Sequence, residues 1–348
     1  MRITFLIPHI NISGGVKIIL GYADQLVKRG HHVSVICPMK WESGLSEKFI
    51  PKCYLKASLK NFLKERPNWI NCSADLKFVP FLKEKYIPDA DVIVATAWQT
   101  AKFINDLSLD KGKKFYFIQG YESLYFGDER VVDSTYKYPL KKIVVSSWLQ
   151  KIMEEKFNSF SELVLDPIDL DILYPTRKEF HKTRVVGLLY HPQKWKGTLE
   201  GIKCFENAKK RFPDLQLIMF GAYPNQSDVS CEFYLKPHRD KLRMILNKVD
   251  IFLSASWLEG FGLCGAEAMA CGCALVTTDS GGSGDYAIHE KTALVSPQKN
   301  IEALSENLIR IIKDEGLFLR IAQNGYEHIQ KFTWNNAVNK IEKVFVGC

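Results

Sequence analysis

The run Glu259-Gly260-Phe261-Gly262-Leu263-Cys264-Gly265-Ala266-Glu267 sets two carboxylates around three glycines. Ala268 to Cys271 continue it with helix-forming residues, and Gly272 ends them. Immediately upstream, Asp250-Ile251-Phe252-Leu253-Ser254 reads as a short buried strand. The order is strand, glycine-rich turn, helix. Bare backbone at Gly260 and Gly262 lets a ligand reach the first free amides of the helix. Those amides, with the helix macrodipole, favour phosphates and other electron-rich groups. Glu259 falls in the turn and Glu267 about a turn and a half into the helix. Carboxylates so placed can hold hydroxyls of a molecule whose phosphates lie nearby. A sugar nucleotide has hydroxyls at both ends and a diphosphate between. The same residues also fit a plain strand-to-helix turn whose acids suit the helix dipole.

Working outward, 348 residues are enough for two domains of ordinary size, each with its own core. Hydrophobic residues at 46% and charged residues at 25% describe a globular chain, not a disordered one. The formal charge of +8 suits anionic ligands or a membrane surface. No module signature or long basic run points to nucleic acid as a partner. Nine cysteines without C-x-x-C pairs read as reduced thiols with no metal site, and Cys271 and Cys273 as small core residues. Met1 to Pro8 is broken too early for a signal peptide, and no apolar run is long enough to span a bilayer. These features predict a cytoplasmic protein, with contact to the inner membrane face open.

In the first half, Ile3 to Ile7 is a continuous apolar run, as a buried parallel strand should be. After Pro8 comes a loop with Ser13-Gly14-Gly15, then a helix from Val16 to Lys28 and a strand from Val33 to Cys37. This is a βαβ unit in which Gly14 and Gly15 could admit a phosphate or simply make a turn. Strands at 91–95, 114–118 and 143–146 alternate with helical stretches, the pattern of a doubly wound sheet. The loops after them carry Trp98-Gln99 and Gln119-Gly120-Tyr121-Glu122, for which an acceptor-facing role competes with polar loop filling. Between 56 and 69 lies a basic amphipathic segment with Lys56, Lys60 and Lys64 on one side and Leu55, Leu59, Phe62 and Leu63 on the other. A membrane-docking surface and a solvated helix packed on its own domain both fit; the pattern favours the second.

In the second half, strands are expected at 185–189, 215–220 and 232–235, with a helix from Leu199 to Lys210. The loop Tyr190-His191-Pro192-Gln193-Lys194-Trp195-Lys196-Gly197 carries two lysines that could neutralise a diphosphate or lie on an ordinary surface. Gly282-Ser283-Gly284-Asp285-Tyr286-Ala287 fits G-x-G-x-x-A, but in the wrong place for a dinucleotide site.

The E-x7-E spacing of Glu259 and Glu267, with Glu267-Ala268-Met269-Ala270-Cys271-Gly272 and the strand Ala274 to Asp279 before Gly281-Gly282, resembles retaining glycosyltransferase family four. Val144 to Leu149 and Asp166 to Asp171 resemble that family's exit from its first domain. The resemblance implies an α/β GT-B fold: two Rossmann-like doubly wound domains facing a cleft. It divides the chain into residues 1–168 on the acceptor side and 169–332 for the nucleotide-sugar donor, with a linker near 167–180. It also implies that a terminal helix, about 333–348, packs back on the first domain.

The activity implied is transfer of a hexosyl or deoxyhexosyl group from a nucleotide diphosphate sugar to an acceptor hydroxyl, with retention and no metal. A glycan or lipid-linked acceptor, in surface polysaccharide or glycoconjugate assembly, is the usual setting. Carried over by position, Glu259 binds donor-sugar hydroxyls, assisted by the amides of Gly260, Phe261 and Gly262. Glu267 holds the ribose, Gly14 and Gly15 approach the distal phosphate, and Lys196 stabilises the departing diphosphate. Phe233, Tyr234 and Leu235 fall where relatives hold the nucleobase. Trp98, Gln119, Tyr121 and Glu122 fall on the acceptor side. No cofactor is implied beyond the donor itself. Two departures stand out. Relatives usually carry Gly-Arg where this chain has Gly187-Leu188, with Lys194 a candidate replacement, and a histidine where it has Gln119. Those departures leave room for a GT-B-like binding or co-activator subunit that transfers nothing.

Overall fold

The computed structural model describes residues 1–40, 50–63, 67, 69–125, 127–176 and 184–347. Two compact units emerge. One comprises Met1–Val145, Leu149–Leu165 and Ala337–Cys348; the other comprises Ser146–Trp148 and Asp166–Asn336. Residues 177–180 of the expected linker and Lys64 of the basic segment lie outside the described residues.

The first unit contains β1 (Arg2–Leu6), α1 (Gly14–Lys28), β2 (His32–Pro38), α2 (Ile50–Phe62), β3 (Asp75–Val79), β4 (Val92–Ala95), α3 (Trp98–Asn105), β5 (Lys113–Ile118), α4 (Glu129–Tyr136), β6 (Lys141–Val144), α5 (Ser147–Phe157) and β7 (Ser161–Leu163). Their sheet is parallel throughout, in the order β3-β2-β1-β4-β5-β6-β7. Burial explains the composition of its centre. All four residues of β4 and the last four of β5 are buried, as strands covered on both faces must be. Ser13 starts α1 by accepting the Val16 amide, and Val16, Ile19, Leu20, Ala23 and Leu26 line its inner face.

The second unit contains β8 (Val185–Leu189), α6 (Thr198–Lys209), β9 (Gln216–Gly221), β10 (Glu232–Leu235), α7 (Arg239–Lys248), β11 (Ile251–Ser254), α8 (Leu263–Ala270), β12 (Ala274–Thr278), β13 (Leu294–Ser296), α9 (Ile301–Lys313) and α10 (Glu315–Ile329). Its parallel sheet runs β10-β9-β8-β11-β12-β13. In both sheets the strand order reverses after the first strand, between β1 and β4 and between β8 and β11. Ligands of doubly wound sheets bind at the carboxyl ends of such a pair.

The last helix, α11 (Trp334–Val346), buries Val338, Ile341 and Phe345. Phe345 meets Phe115 of β5 edge-on at 5.0 Å, and Glu342 accepts from Arg29 at 2.6 Å and His31 at 2.9 Å. These contacts place its final residues in the first unit.

The basic segment packs on its own domain, as the pattern favours, but not through its apolar side. Ala57 is the inward residue of α2 at 3% exposed, while Leu55, Leu59, Phe62 and Leu63 are 71%, 53%, 84% and 63% exposed. The residue that decides this is Asn61, which donates to the Phe78 carbonyl at 2.8 Å and accepts the Phe78 amide at 2.9 Å. By pairing with the backbone of β3, an edge strand, Asn61 turns the apolar stripe outward.

Candidate active site

In the second unit, the two loops at the strand reversal are 190–197, after β8, and 255–262, after β11. They are laced together: the Trp257 amide donates to the Trp195 carbonyl at 2.7 Å. At Gly197 the backbone has φ +64, and a Cβ would stand 1.9 Å from the Ala255 carbonyl oxygen. Only glycine allows that approach. It carries Lys196 to Glu259, where Nζ donates to both carboxylate oxygens at 2.9 and 2.8 Å. The side chains are 24% and 17% exposed, shielded from water yet reachable from it.

Glu259 itself is fixed by its backbone. Its amide donates to the Ser280 carbonyl at 2.8 Å, and its carbonyl accepts from Gly282 at 3.1 Å. Gly282 lies so close that a Cβ would meet the Gly260 carbonyl oxygen at 2.0 Å. The G-x-G-x-x-A match beginning at Gly282 is therefore a packing turn against the Glu259 loop.

Gly262 has a second part besides the one the sequence suggested. It has φ +89 and begins α8, but the space a side chain would take there is filled by the Tyr286 hydroxyl, 2.7 Å from an ideal Cβ. A Cβ on Gly265 would meet the same hydroxyl at 2.8 Å. Tyr286 donates to the Gly262 carbonyl at 2.6 Å. Burial, then the nearby Glu259, Cys264 and Glu267, push its phenol well above its usual value, so the donor proton stays in place. Phe261 turns its ring inward, 2% exposed, onto Tyr286 and Phe332. From this residue only the backbone faces the turn. Glu267 is one helical turn beyond the start of α8 and 6% exposed.

Leu188 points into the core, 2% exposed, against Gly201. Lys194 is exposed. The side chain the fold does bring into the field of Lys196 and Glu259 is His191, which the sequence reading passed over. Burial, then the Lys196 charge, push its imidazole down to about 4, so it is neutral at pH 7. Its Nδ1 accepts the Gln193 amide at 3.2 Å, which leaves the ring proton on Nε2. The signal was in the strand period: Leu188 and Tyr190 alternate into the core, and His191 is the first polar residue past the end of β8.

On β10, Phe233 turns inward against Tyr190 at 5.8 Å, and Leu235 is 50% exposed. Tyr234 is tied to Glu232 and, at 2.9 Å, to Lys248.

In the first unit, Gly15 admits the Gln119 carboxamide, whose Oε1 lies 3.0 Å from an ideal Cβ, and Gly14 begins α1. Gln119 Nε2 donates to the Thr96 carbonyl at 3.4 Å. Trp98 Nε1, Gln99 Oε1 and Gln119 Oε1 are buried without a hydrogen-bond partner among the described residues. Each such atom costs about 1–3 kcal/mol until something pairs with it. Glu122 and Tyr121 face the fold instead. Glu122 accepts from the Trp98 amide at 2.9 Å and the Tyr116 hydroxyl at 3.1 Å; burial raises its carboxyl to about 7. Tyr121 is 7% exposed, with its hydroxyl on Asp133 at 3.2 Å and on Lys156. Among the described residues, no group of three or more His, Cys, Asp or Glu could hold a metal ion.

Residues 176–328 match the family model described as Glycosyl transferases group 1. The match covers most of the second unit, including Lys196, Glu259 and Glu267. An uncharacterised glycosyltransferase of Methanocaldococcus jannaschii is 26% identical over 210 residues, which is 59% of this chain and 59% of that protein. The chain thus matches less than two thirds of that relative's length. A capsular polysaccharide biosynthesis glycosyltransferase of Staphylococcus aureus is 22% identical over 95% of this chain and 89% of its own. The crystal structure of Anabaena HepE with UDP-glucose is similar over 100% of both chains, at a TM-score of 0.78 and 14% identity. The fold is the α/β GT-B architecture of two Rossmann-like units.

Proposed function

We propose that the chain is a retaining family-four glycosyltransferase, moving a hexosyl or deoxyhexosyl group from a nucleotide diphosphate sugar to an acceptor hydroxyl without a metal. The observation that carries this reading is the Lys196–Glu259 pair, held at the strand reversal of the second unit beside the start of α8. A cation and a carboxylate in contact match the two ends of the bond to be cleaved. Lys196 neutralises charge developing on the leaving diphosphate, and Glu259 takes hydroxyls of the departing sugar. Electrostatic stabilisation of this kind is typically the largest contribution an enzyme makes. Glu267 takes the ribose. His191, neutral and with its proton on Nε2, donates to a phosphate oxygen where a second cation was expected. The leaving phosphate accepts the proton of the acceptor hydroxyl, so no protein nucleophile is required. Buried unpaired atoms of Trp98, Gln99 and Gln119 give acceptor hydroxyls partners in the first unit. A surface polysaccharide or glycolipid acceptor fits the capsular relative.

Calorimetry with UDP, GDP, TDP and ADP tests the donor half, beginning with UDP because the Anabaena neighbour binds UDP-glucose. One diphosphate is expected to bind. At about a hundred times its dissociation constant it adds near 2.7 kcal/mol of stability. Glu267→Ala should lose at least tenfold in affinity, about 1.4 kcal/mol. Binding by none of the four, or by the variant equally, overturns the site. An inverted anomeric configuration in the product overturns retention.

A further inference from the structure

Helix α2 and Leu63, the residue after it, present four large apolar side chains to water, and nothing in the donor chemistry uses them. At 100° per residue, Leu55, Leu59, Phe62 and Leu63 fall within one quadrant or so of the helix, opposite Ala57 and Asn61. Ala57 is the buried contact and Asn61 is hydrogen-bonded to β3 at both ends of its amide, so the outward direction of the stripe is fixed by the fold. Scattered surface leucines need no explanation, but a contiguous stripe of this kind marks a contact surface.

The polar residues of the same helix say what the contact is. Lys56 and Lys60 lie along one flank of the stripe, Lys52 lies one turn before Leu55 within its span, and the helix sequence Ile50–Phe62 contains no aspartate or glutamate. Lys60 is laid over the Phe78 ring at 4.8 Å, and Lys52 and Lys56 are exposed. A two-fold dimer through this face would set like-charged lysine rows against each other. A negatively charged sheet of phosphates above an apolar layer complements both parts at once. The formal charge of +8 acts in the same direction at longer range.

We infer that the outward face of α2 is a docking surface for an anionic lipid bilayer. Leu55, Leu59, Phe62 and Leu63 enter the acyl boundary, and Lys52 and Lys56 lie at the headgroup phosphates, the arrangement of an interfacial helix. The inference is independent of which sugar or nucleotide the second unit takes.

Co-sedimentation of the full chain with phosphatidylcholine vesicles, with and without phosphatidylglycerol, tests it. Binding is expected only to the anionic vesicles and should weaken as salt rises. Each interfacial lysine contributes about fivefold, so Lys52→Gln with Lys56→Gln should lower affinity roughly thirtyfold. Leu59→Ser with Phe62→Ser should reduce it by more than about tenfold by removing buried apolar area. Both variants should keep the native unfolding midpoint, since the substituted side chains are exposed. No binding by the native chain, or binding unchanged in both pairs, overturns the inference. So does a native dimer in light scattering that the serine pair dissolves while vesicles are ignored, because the face then belongs to a second copy.

Discussion

Lys196 and Glu259 neutralise one another at contact distance, and at the residue scale the donor must compete with that pair. On the proposed function, a diphosphate would draw the ammonium away and leave the carboxylate free for sugar hydroxyls, which would couple the two halves of donor recognition. Lys196→Met should lower donor kcat/KM by about a hundredfold, near 3 kcal/mol, in a radiolabel or coupled transfer assay. An unchanged value would remove Lys196 from the chemistry. Glu122 makes a separate prediction. Its carboxyl ionises near 7 in the folded chain against an ordinary 4.5, because burial outweighs its hydrogen bonds from Trp98 and Tyr116. Between those values the folded state holds the extra proton. The stability this gives is complete below 4.5 and is lost as pH rises through 7. Glu122→Gln keeps both acceptor contacts without a charge. It should raise stability at pH 8 by on the order of 2 kcal/mol and leave pH 4 unchanged. Equal midpoints for the two proteins at pH 8 would show that the carboxylate is not desolvated.

Among the elements, the loops at the ends of β8 and β11 show how much of a site rests on one glycine. A Cβ at Gly197 overlaps the Ala255 carbonyl and forces a left-handed conformation on an L residue. Gly197→Ala should cost more than about 2 kcal/mol in denaturant unfolding and displace Lys196 from Glu259. A variant as stable and active as the native chain would contradict the loop geometry. Much of this region was legible in sequence: strand, glycine turn and helix around 250–271 stand as read, since the apolar run and the glycines are local signals. Tyr286 was not legible as the residue that fills the space at Gly262 and Gly265. It comes from a loop some twenty residues on, and no local pattern encodes that approach. The outward turn of α2 was likewise invisible. Its 3.6-residue period shows that one face is apolar but not which way that face points, and a single amide pairing at Asn61 decides it.

For the molecule as a whole, the chain's last helix belongs to its first unit from Ala337 onward. Phe345 is 1% exposed and meets Phe115 of the central strand β5. Phe345→Ala should therefore destabilise the first unit by about 4 kcal/mol, a cavity in a sheet-facing core. Proteolysis or hydrogen exchange would localise the loss to β5 and α1. A loss confined to the second unit would contradict that placement. Both sheets repeat one topology, but their close loop pairs differ: Gly15, after β1, meets Gln119, after β5, whereas Lys196, after β8, meets Glu259, after β11.

By itself the sequence determined what depends on neighbours in the chain: the alternation of buried strands with helices, the two-unit scale, and the glycine turn bracketed by Glu259 and Glu267. Only the tertiary structure decided which side chains share a space. Leu188 is core, His191 stands by the ion pair, and Glu122 and Tyr121 are consumed by hydrogen bonds within the fold. The physical reason is that burial and charge fields are summed over residues far apart in the chain, whereas propensity and period are summed over residues adjacent to one another.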